Sequence, residues 1–217
     1  KMERSSMPSE FELYSLDLQL LQNRLQEAPL DLTSTYSNLV LPFPNSNGKI
    51  EQYSIFYAPV MEEGLASRYP GIRSYVGKGI SDPTATIRFS VTLFGLHLMS
   101  TSGNSGTFYI DTYTKNLSNY IVYNRNNVRP TSSFSCLVQD EEEVASHIED
   151  ATLNRINTGL FRVYRMAMAC TIEYAAFHVN AAGLNAGTTA QKKAAVLSAM
   201  NVTMTRVNGL YERDMSL

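Results

Sequence analysis

Apolar and polar residues alternate along short segments of the first half of the chain. In the segment 84–93, Ile87, Phe89 and Val91 fall on one side of an extended backbone and polar residues separate them, which predicts a β-strand with one buried face. Turn-forming clusters such as residues 102–106 divide one segment from the next. The strand segments are residues 38–43, 52–60, 84–93, 96–100, 107–112 and 120–123, with a shorter strand at 75–80. The pattern predicts an antiparallel β domain over about residues 36–123, for which a meander is the simplest topology.

Helical signals precede and interrupt these strands. Asp17 can cap a short helix that runs to about residue 26, because leucines three and four residues apart share one of its faces and Pro29 ends it. The segment 61–69 predicts a helical turn that ends before Pro70, since the residue before a proline disfavours helical backbone.

The alternating pattern stops near residue 124. Residues 124–159 are polar and include the acidic run 140–143, so they predict a linker with one helical stretch at 144–153. The acidic run is interpreted as a solvated surface or the start of a helix rather than a metal site. The domain boundary is placed in this linker, between a first domain of residues 1–157 and the beginning of a second domain in residues 158–217.

The last segment predicts one strand followed by one helix. Residues 163–169 are an apolar strand, a loop rich in Gly and Asn follows, and Thr188 or Thr189 can cap the helix. Apolar residues recur along this helix and predict a face that packs on a sheet: Leu197, Met200, Met204, Val207 and Tyr211. One strand and one helix cannot bury their own apolar faces, so they are interpreted as the first unit of a larger α/β domain. The predicted fold class is therefore α+β.

Composition excludes some functions and weakly favours one location. The chain has 217 residues, of which 44% are hydrophobic and 18% charged, as in an ordinary folded protein. Its net charge is −2 and it has no basic cluster, which argues against a nucleic-acid partner. No apolar run approaches the roughly 18 residues that span a bilayer, which argues against a membrane partner. Few lysines with many Ser, Thr, Asn and Tyr suit a secreted protein whose signal peptide has been removed.

The sequence contains no pattern of a complete catalytic or metal site. His97, His147 and His178 are dispersed, and the H-E-x-x-H, C-x-x-C and G-x-S-x-G patterns do not occur. His97 lies within a strand segment and is interpreted as structural. His147 lies in the acidic linker, and His178 is expected to cap or line a loop after the last strand.

The two cysteines admit two interpretations from the residues alone. Cys136 lies in the linker and Cys170 ends the last predicted strand. They either form a disulfide with each other, as in a secreted chain, or remain two buried thiols.

Several blocks of sequence resemble a known family. Residues 162–178, RVYRMAMACTIEYAAFH, and 204–214, MTRVNGLYERD, are similar to the start of the catalytic domain in secreted bacterial reprolysin-like zinc metalloproteases of the metzincin group. Residues 69–79, YPGIRSYVGKG, and 82–90, DPTATIRFS, resemble the pro-region of the same precursors. The resemblance implies that residues 1–157 are a propeptide that keeps the protease latent and assists its folding. It also implies that the metzincin-like domain begins near residue 160.

The resemblance further implies a zinc cofactor that this chain does not bind alone. The family's zinc motif, three histidines with a glutamate base, matches no position here, so the zinc ligands are expected beyond Leu217 and this chain by itself is expected to be inactive. In this interpretation Cys136 is an inhibitory zinc ligand in the precursor, and Cys170 pairs with a cysteine beyond Leu217. The loop around Cys136 departs from the family pattern, because it lacks the proline-rich phrase of cysteine switches in animal relatives.

The implied partners are the remainder of the catalytic domain and, after activation, a protein or peptide substrate. Activation is expected by cleavage between residues 151 and 160. Two other functional classes stay open. In one, the β domain is a secreted binding module that presents tyrosines to carbohydrate or peptide. In the other, the pro-region is a folding template that never enters the catalytic cleft.

Overall fold

The structure is a computed structural model that describes residues 7–31, 36–129 and 166–215. In these residues, eight strands form one antiparallel sheet. The strands are β1 (Glu12–Ser15), β2 (Val40–Pro44), β3 (Ile50–Tyr57), β4 (Arg73–Gly79), β5 (Thr86–Thr92), β6 (Gly95–Ser102), β7 (Gly106–Thr112) and β8 (Asn119–Asn124). Strands β2 to β8 lie side by side in chain order, which confirms the predicted meander. Strand β1 pairs with β8 at the edge opposite β2.

The strands predicted between residues 36 and 123 are all present, and their ends differ from the sequence segments by a few residues. The sequence pattern does not predict β1. Three of the four β1 residues are exposed, so the strand shows no alternation of buried and polar positions. Its place in the sheet comes from backbone pairing with β8, which a hydrophobic pattern does not record.

The inner face of the sheet carries the main hydrophobic core, and we define it by Ile87, Phe89, Val91 and the residues beside them. These three side chains share one face, as predicted. Directly opposite residues on neighbouring strands, such as Phe89 and Leu98, stabilise the sheet by packing together. The other large buried members on the strands are Leu41, Phe43, Tyr53, Ile55, Tyr75, Leu96, Leu98, Phe108, Ile110, Tyr120 and Val122.

The two helical predictions for the first half of the chain are confirmed. Helix α1 (Leu18–Leu25) is capped by the Asp17 carboxylate and places Leu21 and Leu25 in the inner core, inside the curve of a half-barrel sheet. Helix α2 (Glu63–Arg68) lies between β3 and β4. A single turn of 3-10 helix, Arg125–Asn127, follows β8.

The strand predicted at 163–169 is wrong where the structure describes it. Residues 166–170 are not in a strand, and residues 163–165 lie outside the described residues. Helix α3 (Ile172–Ala181) occupies the segment that the sequence pattern assigns to a loop. It begins where the Thr171 hydroxyl accepts a hydrogen bond from the Tyr174 backbone N–H at 3.3 Å. A strand needs a hydrogen-bonded neighbour, and residues 166–170 pair with no strand of the described sheet.

Helix α4 (Thr189–Met215) begins as predicted. The Thr188 hydroxyl accepts a hydrogen bond from the Gln191 backbone N–H at 3.3 Å, and the Gln191 side chain accepts one from the Thr188 N–H at 2.9 Å. This reciprocal pair is a capping box. The helix crosses the second face of the sheet over β5 and also contacts α3.

The second face, which we call the outer face, is defined by Ser74, Arg88, Ser90, His97 and Asp111. Arg88 and Ser90 are buried although they lie on the face opposite the inner core. The prediction of one buried face is therefore wrong for β5, because α4 covers its other side.

Helix α4 packs on the outer face with small and polar residues. Its buried residues are Ala195, Ser198, Ala199, Asn201 and Thr205. The predicted apolar stripe is only partly buried, and Tyr211 is exposed. The difference arises because α4 lies very close to the sheet. At Gly209, even an added Cβ atom would lie only 3.0 Å from the Arg88 Cγ atom. A face of large side chains would hold the helix farther from the sheet.

Candidate functional site

The strongest polar cluster in the described structure joins the outer face to α4 at Asp111. The side chain of Asp111 is 9% exposed. Its Oδ1 atom accepts a hydrogen bond from Nη2 of Arg206 at 2.5 Å and lies 2.6 Å from Nδ1 of His97. Its Oδ2 atom accepts a hydrogen bond from the Tyr123 hydroxyl at 2.6 Å. Three strands and one helix therefore meet at a single carboxylate.

The surroundings of Asp111 favour its ionised carboxylate. Burial by itself raises the pKa of Asp111, but the charge of Arg206, the contact with His97 and the Tyr123 hydroxyl outweigh burial and hold that pKa well below its usual value. Burial lowers the pKa of Arg206, and the charge and hydrogen bond of Asp111 more than reverse this effect. The Arg206 guanidinium also lies 5.2 Å from the centre of the Tyr109 ring, at cation–π distance.

A second ion pair lies farther along α4, between Arg88 of β5 and Glu212. Arg88 is 8% exposed, whereas the Glu212 side chain is 45% exposed. The helix thus contributes a cation to one pair and an anion to the other. Such a crossed arrangement fixes the direction and register of α4 on the sheet, because a shifted or reversed helix would lose both attractions.

Buried hydrogen bonds add to the contact between α4 and β4. The amide of Asn201 donates to the Ser74 hydroxyl at 2.9 Å, and the hydroxyls of Thr205 and Ser74 are 3.1 Å apart. All three side chains are almost completely buried. Polar groups that are buried and paired in this way favour one geometry, because any displacement leaves them without partners.

A serine, a histidine and an aspartate, the residue types of a hydrolytic triad, lie side by side on the outer face. Their geometry is not that of a triad. Ser90 lies opposite His97 in the sheet, and His97 contacts Asp111. However, the Ser90 hydroxyl is fully buried, and it has no hydrogen-bond partner among the described residues. A nucleophile needs contact with its base and access to substrate. The arrangement is suited to holding α4 rather than to catalysis.

The histidine predictions have different outcomes. His97 lies in β6, within the predicted strand segment, and pairs with Asp111. His178 does not follow a strand; it lies in α3, where its ring centre is 4.4 Å from that of Tyr174 and 5.8 Å from that of Phe94. Burial lowers the pKa of His178. His147 lies outside the described residues.

The predicted metal and disulfide residues are mostly outside the described residues. Cys136, the acidic run 140–143, the cleavage segment 151–160 and the domain boundary near 157 all fall there. Cys170 is a free and exposed thiol. Within the described residues, no group of three His, Cys, Asp or Glu side chains could hold a metal ion. The described part of the chain therefore does not fit a zinc centre.

No pattern along the chain singles out Asp111 and Arg206 as site residues, although one signal for Asp111 is present. The turn at 102–106 sets the register of the β6–β7 hairpin, in which Ser102 pairs with Gly106 and Leu98 with Ile110. Continuing that register places His97 opposite Asp111. A histidine and an aspartate at opposite positions predict a cross-strand polar pair. No local pattern connects this pair to Arg206.

The described helices include none that is both long enough and apolar enough to cross a membrane. Comparisons of the chain with models of known families, with curated proteins and with solved structures found no match.

Proposed function

We propose that this chain is the pro-region and the first part of the catalytic domain of a secreted zinc endopeptidase zymogen, in which the N-terminal sheet keeps the protease latent and assists its folding. One observation carries the proposal. The helix that resembles the beginning of the protease, α4, lies on the sheet that resembles the pro-region, and two ion pairs join them. A pro-region with either role must bind its protease domain directly.

The division of the core supports a folding role for the sheet. The inner core contains residues of the sheet and α1 and none of α3 or α4. The sheet can therefore form its main core before α4 is placed. The fully buried residues of helix α4 are small or polar, so the helix depends on a surface with matching hydrogen bonds and charges.

The residues proposed to bind zinc all lie outside the described structure. The zinc ligands lie beyond Leu217 in the full-length protein, and Cys136 is the proposed inhibitory ligand in the segment between β8 and α3. The partners are the remainder of the catalytic domain and, after cleavage between residues 151 and 160, a protein or peptide substrate.

The test uses the full-length precursor. The uncut precursor should already bind zinc. It should hydrolyse a peptide substrate only after limited proteolysis within residues 151–160. A control precursor with a protease-resistant sequence at 151–160 should bind zinc equally and stay inactive under the same treatment. A coding sequence that continues past Leu217 without an H-E-x-x-H motif would contradict the proposal, as would equal activity before the cut and after the two cut parts have been separated.

The alternative of a tyrosine-presenting binding module has less support. Tyr53, Tyr75 and Tyr120 are at most 2% exposed and belong to the inner core, where they cannot reach a ligand. A cleft of about 510 Å³ does lie on the outer face beside Arg88 and Glu212, but threonines line it rather than aromatic side chains.

A further inference from the structure

The contact between α4 and the outer face differs in chemistry from the inner core. The inner core consists of large aliphatic and aromatic side chains. The α4 contact buries alanines, hydroxyls and an amide, together with the charged pairs at Asp111 and Arg88. Domain interfaces that form and separate are more polar than permanent ones. The composition of this contact therefore favours a reversible interface.

Unpaired polar atoms in the interface favour the same conclusion. Among the described residues, no protein group pairs with the buried Oγ atoms of Ser90 and Ser198 or with the Nε atoms of Arg88 and Arg206. Each such atom makes the contact weaker than a fully paired one of equal area. Attachment of α4 then depends strongly on the atoms that are paired, above all the two ion pairs.

The two ion pairs can also select their partner. Arg206 and Glu212 are six residues apart, about 9 Å along the helix axis, and each meets its opposite charge on a different strand. A helix with another charge pattern would place like charges together or leave a buried charge alone. The outer face is thus complementary to α4 in particular.

We infer that the outer face is a reversible receptor for α4: once the connecting segment is cut, α4 stays on the sheet as a noncovalent partner, and the crossed ion pairs at Asp111 and Arg88 determine how long it stays. The inference deepens the proposed function and rests on it for its biological meaning. Cleavage of the chain would then begin activation, and dissociation of the sheet from α4 would complete it.

The test uses the whole chain with a recognition sequence for a site-specific protease inserted between residues 151 and 160. After cutting, the two parts should elute together in size-exclusion chromatography at about 0.1 M salt. Dilution should separate them and concentration should restore coelution, as for a reversible contact, whereas about 1 M salt should change this little because buried ion pairs are screened much less than exposed ones. Parts that stay together at every dilution, or that separate even at high protein concentration, would overturn the inference.

Variants identify the groups responsible. Arg206→Met should raise the dissociation rate constant of the cut complex by at least about 30-fold, because it leaves the buried Asp111 carboxylate without its cation. Arg213→Met is the matched control, since this guanidinium pairs with the adjacent Asp214. An Arg206→Met complex that dissociates as slowly as the parent would also overturn the inference.

A charge exchange separates attraction from simple loss of packing. Arg88→Glu should weaken the cut complex, and adding Glu212→Arg should restore part of its lifetime. Dissociation of the double variant as fast as that of the single one would contradict a role for charge at this pair. These outcomes do not depend on zinc or proteolysis, so a failed receptor and a failed zymogen proposal can be distinguished.

Discussion

Asp111→Asn is expected to loosen α4 from the sheet without disturbing the inner core. Asparagine has nearly the same shape and keeps one oxygen acceptor, so packing is conserved. The substitution removes the negative charge that Arg206 and His97 share. Asp111 lies on the outer face, whereas the residues that stabilise the sheet itself lie on the inner face.

The size of the effect follows from burial. Removing one partner of a fully buried ion pair costs about 3 to 5 kcal/mol, because the other charge stays buried alone. The Arg206 side chain is 27% exposed and can recover part of its hydration. We therefore expect Asp111→Asn to lower the free energy needed to detach and unfold α4 by about 2 to 3 kcal/mol.

Urea denaturation followed by two signals measures this loss. Helical circular dichroism reports mainly on α4, the longest described helix, and the near-ultraviolet signal of buried tyrosines reports on the inner core. The helical transition should move to lower urea, and the tyrosine transition should move less. The control Asp214→Asn removes a carboxylate paired with Arg213 in the exposed last turns of α4 and should move neither.

The pH dependence checks the electrostatic origin. The pKa of Asp111 is lowered by folding, so its carboxylate stabilises the protein fully above the pKa of an unfolded aspartate, about 3.9. This stabilisation is lost as the pH falls below that value. The difference between parent and Asp111→Asn should be constant near neutral pH and shrink below about pH 4. An unchanged urea midpoint for the variant, or a difference that persists in strong acid, would refute the reasoning.

Three further predictions concern the core and the precursor. Gly77→Ala should destabilise the sheet by about 1 to 3 kcal/mol, because its Cβ would lie 2.6 Å from Ile87 Cγ1; the control Gly71→Ala, with nothing within 4 Å, should not shift the thermal midpoint. Leu25→Ala should cost about 2 to 5 kcal/mol in urea denaturation, and its matched control is exposed Leu20→Ala. In the full-length precursor, Cys136→Ser should release activity on a small peptide before cleavage, because it would remove the thiolate proposed to hold zinc, whereas Cys170→Ser should not. A Cys136→Ser precursor as inactive as its parent would show that the pro-region inhibits by covering the cleft alone.

The sequence by itself determined the elements that depend on neighbours along the chain. The period-two pattern around Ile87 and Phe89 predicts a strand and its inner face, since alternate side chains of an extended backbone must point the same way. Turn clusters between the strands predict the meander. Asp17 and Thr188 mark helix starts through hydrogen bonds that span only three residues.

Only the tertiary structure decided which surfaces meet. Strand β1 exists through its pairing with β8, and the face of α4 that packs is chosen by how closely a helix can approach the outer face. Asp111 and Arg206, which join the sheet to α4, are 95 positions apart. The period of apolar residues along a helix predicts which of its faces is buried. For α4 it predicts that the apolar stripe packs on the sheet. Close approach and charge complementarity favoured the small, polar face instead, and both are properties of two surfaces together.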